Sequence, residues 1–188
     1  MQAAVKTEYI SVTDYLAAEN ASLERHEYLG GQVYAMSGAT RTHNLIALNL
    51  ASALRARLKG SACQTFISDI RVHLTLRNDD YYYYPDVVVT CDKRDTSDGT
   101  SRFIDHPKVI VEVLSESTER VDKREKLFAY TNIASLEEYI LIAQTSREVT
   151  VFRRASHWKA EVVSGAKASV AIKSLKLKLP LKTIYEGV

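Results

Sequence analysis

Val109-Ile110-Val111-Glu112-Val113-Leu114 sets an acid in the middle of an apolar run, and Tyr84-Pro85-Asp86-Val87-Val88-Val89 sets another at the head of one. Both runs read as buried strands, where a carboxylate is out of place. A buried carboxylate without a partner is costly, so each acid must be protonated, ion-paired or bound to a metal ion. Two such strands imply an α/β fold with a central mixed sheet, and they put chemistry near the ends of neighbouring strands.

The surrounding sequence supplies the rest of that fold. Ser117-Thr118, with Glu119 and Asp122 following, opens a helix that runs to about Tyr130, with acids gathered where the helix dipole favours them. Asp122, Lys126 and Tyr130 recur every four residues and share one face of it. From Thr42 to Leu58 the apolar residues fall at three- and four-residue intervals, which predicts a second amphipathic helix, with Arg55, Arg57 and Lys59 at its end and Gly60 to stop it. Ser11 or Thr13 caps a shorter helix ending near Asn20. His26 to Met36 reads as two extended runs joined at Gly30-Gly31, with Glu27 on the first.

Cys63 to Leu76 predicts one long strand or two broken near Ser68-Asp69, and Asn78-Asp79-Asp80 a turn. Tyr81 to Thr90 predicts the next strand, with Asp86 inside it, and Asp92 to His106 one long polar loop. Strands follow at Pro107 to Leu114, Leu136 to Ala143 and Glu148 to Arg153, the last with His157 to Val163 as hairpin partner. Ile172 to Leu181 alternates leucine with lysine like a half-exposed strand, ended by Pro180.

At 188 residues the chain suits a single domain spanning 1–188, and 46% hydrophobic residues suffice for one core. A net charge of +2 is too small to announce nucleic acid by itself, so any basic surface must be local. Apolar runs reach only about five residues, far short of the roughly 20 that span a bilayer, so no membrane association is expected. No secretory pattern opens the chain, which points to a cytoplasmic setting. Cys63 and Cys91 lack zinc spacing and read as buried reduced thiols.

Phosphodiester cleavage needs a positioned water, stabilisation of negative charge in the transition state and a proton for the leaving oxygen. Asp86, Glu112 and the carbonyl of Val113 form an oxygen set suited to magnesium, and a lysine would handle the charge. The motifs resemble the Uma-two family of restriction endonucleases within the PD-(D/E)XK nuclease superfamily. They are Tyr83-Tyr84-Pro85-Asp86-Val87-Val88-Val89, Val111-Glu112-Val113-Leu114-Ser115, and Ser117-Thr118 with Asp122, Lys126 and Tyr130. Gly30-Gly31, Thr42-His43-Asn44 and Leu136-Glu137-Glu138-Tyr139 extend the likeness from about Glu27 to Trp158.

The resemblance implies a restriction-endonuclease-like core with an additional C-terminal β-hairpin. It implies metal-dependent hydrolysis of DNA with Mg2+ or Mn2+ held by Asp86, Glu112, Val113 and Glu27, catalysis through Asp86, Glu112 and Lys126, and pairing of two chains into a homodimer. The superfamily's lysine would fall on Leu114, so its role passes to Lys126. Glu116 stands where the family commonly has proline. His43 reads equally as a structural histidine or a substrate-facing one, and Asp69 as a turn residue or a helper at the site. A non-catalytic nucleic-acid-binding or assembly module with the same fold is the alternative, and RNA is the alternative substrate.

Overall fold

Capping and turn chemistry set the first elements of the computed structural model, which describes residues 8–36, 38–116 and 119–188. Ser11 accepts the Asp14 N–H at 3.1 Å and opens helix α1 (Val12–Ala21). Strands β1 (His26–Leu29) and β2 (Gln32–Ala35) form a hairpin through Gly30 and Gly31, both at positive φ. A Cβ on Gly31 would lie 2.2 Å from the Tyr9 ring, so the turn excludes a side chain by space as well as by conformation. Thr40 caps α2 (Arg41–Arg57), whose Ile46, Leu50 and Leu54 form the buried stripe.

The next four strands belong to two different sheets. β3 (Gln64–Ile67) pairs with β6 (Val87–Thr90), whereas β4 (Arg71–Leu76) pairs with β5 (Asp79–Tyr83). The chain leaves at Ser68, which takes φ +50°, and returns through Tyr84-Pro85-Asp86. A hydrogen bond of 3.2 Å from the Ser68 N–H to the Asp86 carbonyl closes the neck of this excursion. The run from 63 to 76 is therefore two strands, broken at Ser68-Asp69. The single strand expected from Tyr81 to Thr90 is also two: the change of sheet and Pro85, which has no N–H to give a ladder, divide it. Asp86 stands just ahead of β6 rather than inside a strand.

The stretch expected as one loop from Asp92 to His106 contains α3 (Lys93–Thr96) and β7 (Phe103–Ile104), the latter parallel to β4. β8 (Pro107–Val113) carries Glu112. Ser117 and Thr118, the expected helix opening, lie outside the described residues. Glu119 donates to the Ser115 carbonyl at 2.9 Å, Val121–Lys126 is π-helical, and α4 (Leu127–Thr131) continues it. β9 (Glu138–Ile142), β10 (Glu148–Arg153) and β11 (Ala160–Ser164) follow. The half-exposed strand expected from Ile172 to Leu181 is instead a hairpin of β12 (Ser169–Ile172) and β13 (Leu177–Pro180), folded back at Lys176 with φ +56°; α5 (Leu181–Ile184) ends the elements.

Three sheets result, ordered β2-β1-β5-β4-β7, β11-β10-β9-β8-β6-β3 and β12-β13. The six-stranded sheet is mixed, because β8 and β9 run parallel while its other pairs are antiparallel. One face packs Val87, Val89, Val109 and Val111 against α2, α5 and the β12–β13 hairpin. The other packs Val88, Ile110, Tyr139 and Leu141 against Ala129 and Tyr130 of α4 and against Val72, Leu74 and Tyr83 of the five-stranded sheet. α1 closes the far side of that sheet through Tyr15, stacked on Tyr28 at 4.9 Å. Among the described residues no helix is long and apolar enough to cross a membrane.

One feature departs from the sequence reading, and a second has no signal in it. Cys63 and Cys91, expected as buried reduced thiols, form a disulfide and are only partly buried. The reason is the β3–β6 register, in which Gln64 faces Thr90 and so sets positions 63 and 91 side by side. Glu138 and Arg153 form a buried ion pair at 2.7 Å, 1% and 4% exposed. Glu138 also accepts from the Lys173 and Ser174 N–H groups and the Ser174 hydroxyl, tying β9 to the C-terminal hairpin. Replacing Glu138 with alanine removes the buried partner of Arg153, leaving the half-exposed Glu161 as its counter-charge, and deprives the Lys173 and Ser174 N–H groups of their acceptor. Glu138→Ala is therefore expected to cost about 3–5 kcal/mol, read as a shift in the urea unfolding midpoint. A loss below about 1 kcal/mol would show that the pair contributes nothing beyond a surface bridge.

Candidate active site

Alternation along two paired strands brings the two acids together. In the β6–β8 pair, Val87 faces Val111, so the next position along each strand is Asp86 and Glu112. Glu112 has the parity of Ile110 and emerges on the face opposite α2, while Asp86, just ahead of β6, stands at the same end of the sheet within reach of the first turn of α2.

The helix from 119 to 131 brings Lys126 to that spot. Its ammonium lies 3.1 Å from Glu112 Oε1, 3.1 Å from Glu27 Oε1 and 3.3 Å from Asp122 Oδ1. An ammonium has three N–H donors, and here each faces a different carboxylate. Glu112, Asp122 and Lys126 are 4%, 2% and 5% exposed. The Tyr130 hydroxyl donates to Glu112 Oε1 at 3.1 Å, the Tyr139 hydroxyl donates to the Asp122 carbonyl at 3.0 Å, and the Tyr84 N–H donates to Glu27 at 3.1 Å.

Burial pushes the Glu112 carboxyl well above its usual range; Lys126 opposes that, and Asp122, Asp86 and Glu27 reinforce it. Burial alone would lower Lys126, but the charges of Glu112, Glu27 and Asp122 together outweigh it and hold the amine well above its ordinary value. Lys126 is thus a fixed cation. Burial, with Glu112 next, raises the Tyr130 phenol well above 10.0, so it stays a donor.

Asp86 has its own clamp. Its Oδ1 lies 2.7 Å from His43 Nε2, and its Oδ2 accepts the Val113 N–H at 2.7 Å. His43 stands in the first turn of α2, where Thr40 accepts its main-chain N–H, and Gln144, just beyond β9, lies 3.4 Å from His43 Nδ1. The sequence left His43 undecided; the geometry puts it on Asp86. Gln144 carries no sequence signal, since only the fold brings the end of β9 to the start of α2. Asp69 is not brought to the site: its carboxylate pairs with Arg25 at 2.9 Å and is 83% exposed. Arg55 and Arg57 lie in the last turn of α2, away from His43.

Three carboxylates around one ammonium, with Asp86 beside them, leave the site with excess negative charge, and this donor chemistry fits a divalent cation. The fit is one of charge: ligand atoms of Asp86, Glu112 and Glu27 do not all come within 4.8 Å of one another, because Lys126 sits among the carboxylates. The one described trio that meets that distance is Asp95, Asp105 and His106. Asp95 there already accepts from the Thr90 hydroxyl, the main-chain N–H groups of Asp105 and His106, and the His106 ring, so it reads as a loop staple at the other end of β6.

With this geometry described, three kinds of similarity bear on it. An uncharacterised protein of Synechocystis sp. is 33% identical over 180 residues, spanning 95% of this chain and 93% of that protein. A second uncharacterised Synechocystis protein is 28% identical over 179 residues, spanning 94% of this chain and 100% of its own. The crystal structure of a "putative nuclease belonging to DUF820" from Anabaena variabilis superposes with a TM-score of 0.75 at 19% identity, over 94% of this chain and 97% of that one, a likeness of mixed α/β fold. A family model described as "Putative restriction endonuclease" matches residues 12–182, from the first helix to the last, and the chain belongs to that family, Uma2.

Proposed function

We propose that the chain hydrolyses DNA phosphodiester bonds with Mg2+ or Mn2+. The observation that carries this reading is the gathering of Glu112, Glu27 and Asp122 around a single buried ammonium at the end of the β6–β8 pair, where Asp86 is held by His43 and the Val113 N–H. Asp86 and Glu112 would hold the ion, with the Val113 main-chain carbonyl and Glu27 assisting. When bound, the ion supplies a water of lowered pKa and a positive charge for the phosphate oxygens. Lys126 stays protonated beside Glu112, placed to stabilise charge developing on the phosphate or to orient the water. Tyr130 holds one Glu112 oxygen in place by donating to it. Two chains acting on the two strands of a duplex would pair about a two-fold axis.

The decisive comparison incubates the parent chain, Asp86→Ala and Glu112→Ala with supercoiled, linear and single-stranded DNA and with RNA in the presence of manganese. Parent cleavage and a loss of at least about 100-fold in both variants is the expected result. Binding of DNA without cleavage by the parent would favour the non-catalytic reading instead.

The buried charges also make stability depend on pH with a definite sign. The folded-state pKa of Glu112 lies above its unfolded value, so its contribution is complete below the ordinary carboxylate range and is lost as pH rises through the raised value. Lys126 is raised too, and its contribution is lost only above the ordinary lysine range. Metal-free protein should therefore lose stability as pH rises above the ordinary carboxylate range, a slope that Glu112→Gln flattens. Manganese affinity should rise over the same interval, because binding expels a proton from Glu112. Urea titrations at each pH, with and without manganese, read both; stability that climbs with pH in metal-free protein would contradict the assignment.

Removing the ammonium gives an independent check. Lys126→Met leaves Glu27, Glu112 and Asp122 buried without their shared cation, at an expected cost of about 3–5 kcal/mol to the metal-free fold. Manganese should recover part of it, because the ion binds only the folded state. An equally destabilised variant with and without manganese would place the metal elsewhere.

A further inference from the structure

We propose that Gln144 and Thr40 fix the imidazole of His43 as the tautomer protonated on Nε2, and that this ring is the positioning residue for the Asp86 carboxylate. The consequence for cation binding rests on Asp86 being a metal ligand; the tautomer does not.

The inference starts from an atom that can only accept. The Leu114 carbonyl lies 2.7 Å from one end of the Gln144 side-chain amide, so that end is Nε2. The other end, Oε1, takes the Thr40 hydroxyl proton at 2.7 Å. Thr40 is itself held, since its oxygen accepts the His43 N–H at 3.1 Å as the cap of α2. Turned over, the amide would set an oxygen against the Leu114 carbonyl, so the amide has one orientation. Its nitrogen, 3.4 Å from His43 Nδ1, has only hydrogens to offer and must face a lone pair. The ring proton then belongs on Nε2, 2.7 Å from Asp86 Oδ1.

The Val113 N–H secures the other oxygen of Asp86 at 2.7 Å. Each oxygen thus carries one donor and keeps a lone pair for a ligand, and the carboxylate plane cannot swing. The clamp draws on the start of α2, the end of β8 and the chain just past β9, so it registers three elements at the site.

The test uses the metal-free, 15N-labelled chain. Two-bond 1H–15N correlation spectra should show His43 with a protonated Nε2 and a bare Nδ1 in the parent, and a mixture of tautomers in Gln144→Leu. A proton on Nδ1 in the parent, or an unchanged single tautomer in Gln144→Leu, overturns the relay. Calorimetric titration with manganese then reads positioning: His43→Asn, whose amide cannot reach from the Nε2 position, should bind about 10-fold to 100-fold more weakly. His43→Gln, whose amide nitrogen can take the place of Nε2, should stay close to the parent. Equal weakening in both variants overturns the positioning role. If Asp86→Asn binds manganese as the parent does, the ligand reading of Asp86 fails, while the ring spectra still decide the tautomer.

Discussion

A charge removed from water must be answered inside the protein, and at the centre of this fold one ammonium answers three carboxylates. Lys126 alone cannot neutralise Glu27, Glu112 and Asp122, and a buried ion pair is seldom a net gain over apolar packing. The arrangement therefore costs stability at the position where β6, β8 and the helix from 119 to 131 meet. Its excess of negative charge is the property that a divalent cation would relieve.

Burial of an acid does not by itself mark a site, and Glu138 shows why. It is as deeply buried as Glu112, yet two backbone N–H groups, a hydroxyl and the Arg153 guanidinium satisfy both of its oxygens. Its partners are fixed donors of the scaffold, and Arg153 balances it, the second acid on that guanidinium, Glu161, being half exposed, so nothing is left to bind. Glu112 instead shares one cation with two other acids and is pushed toward its neutral form. The useful distinction between a structural and a functional buried acid is the balance of charge among its neighbours, which sequence alone does not display.

The strands bearing the two acids were readable because β-branched runs announce burial and period-two alternation fixes the face. The match of Asp86 with Glu112 needed only that β6 and β8 pair, and the four-residue spacing of Asp122, Lys126 and Tyr130 was enough to set one helix face on them. What could not be read was where the chain changes sheets. The run from 63 to 76 allows one strand or two broken near Ser68-Asp69, the run from 81 to 90 looks like one, and only the tertiary pairing of β3 with β6 turns Ser68 and Pro85 into the two sides of a neck. The same pairing makes neighbours of Cys63 and Cys91, which have no local signal of contact. His43 and Gln144 were obscure for the same reason: His43 meets Asp86 from 43 residues before it, and Gln144 meets His43 from 101 residues after it.

That neck explains why the site lies where it does. Glu27 comes from the five-stranded sheet, Glu112 from the six-stranded one, and Asp86 from the point at which the chain re-enters the second sheet. Tyr84, one step before Pro85, gives its N–H to Glu27, while its hydroxyl donates to Glu19 on α1. The crossing segment thus holds a carboxylate of one sheet with its backbone and delivers a carboxylate to the other two residues later. The π-helical segment Val121–Lys126 fills the gap that remains between the sheets, a widened turn of the kind often found at functional positions, and its last residue supplies the cation. Had Tyr81 to Thr90 been one continuous strand, Asp86 would be a ladder residue of a single sheet, and no one face could gather acids from both.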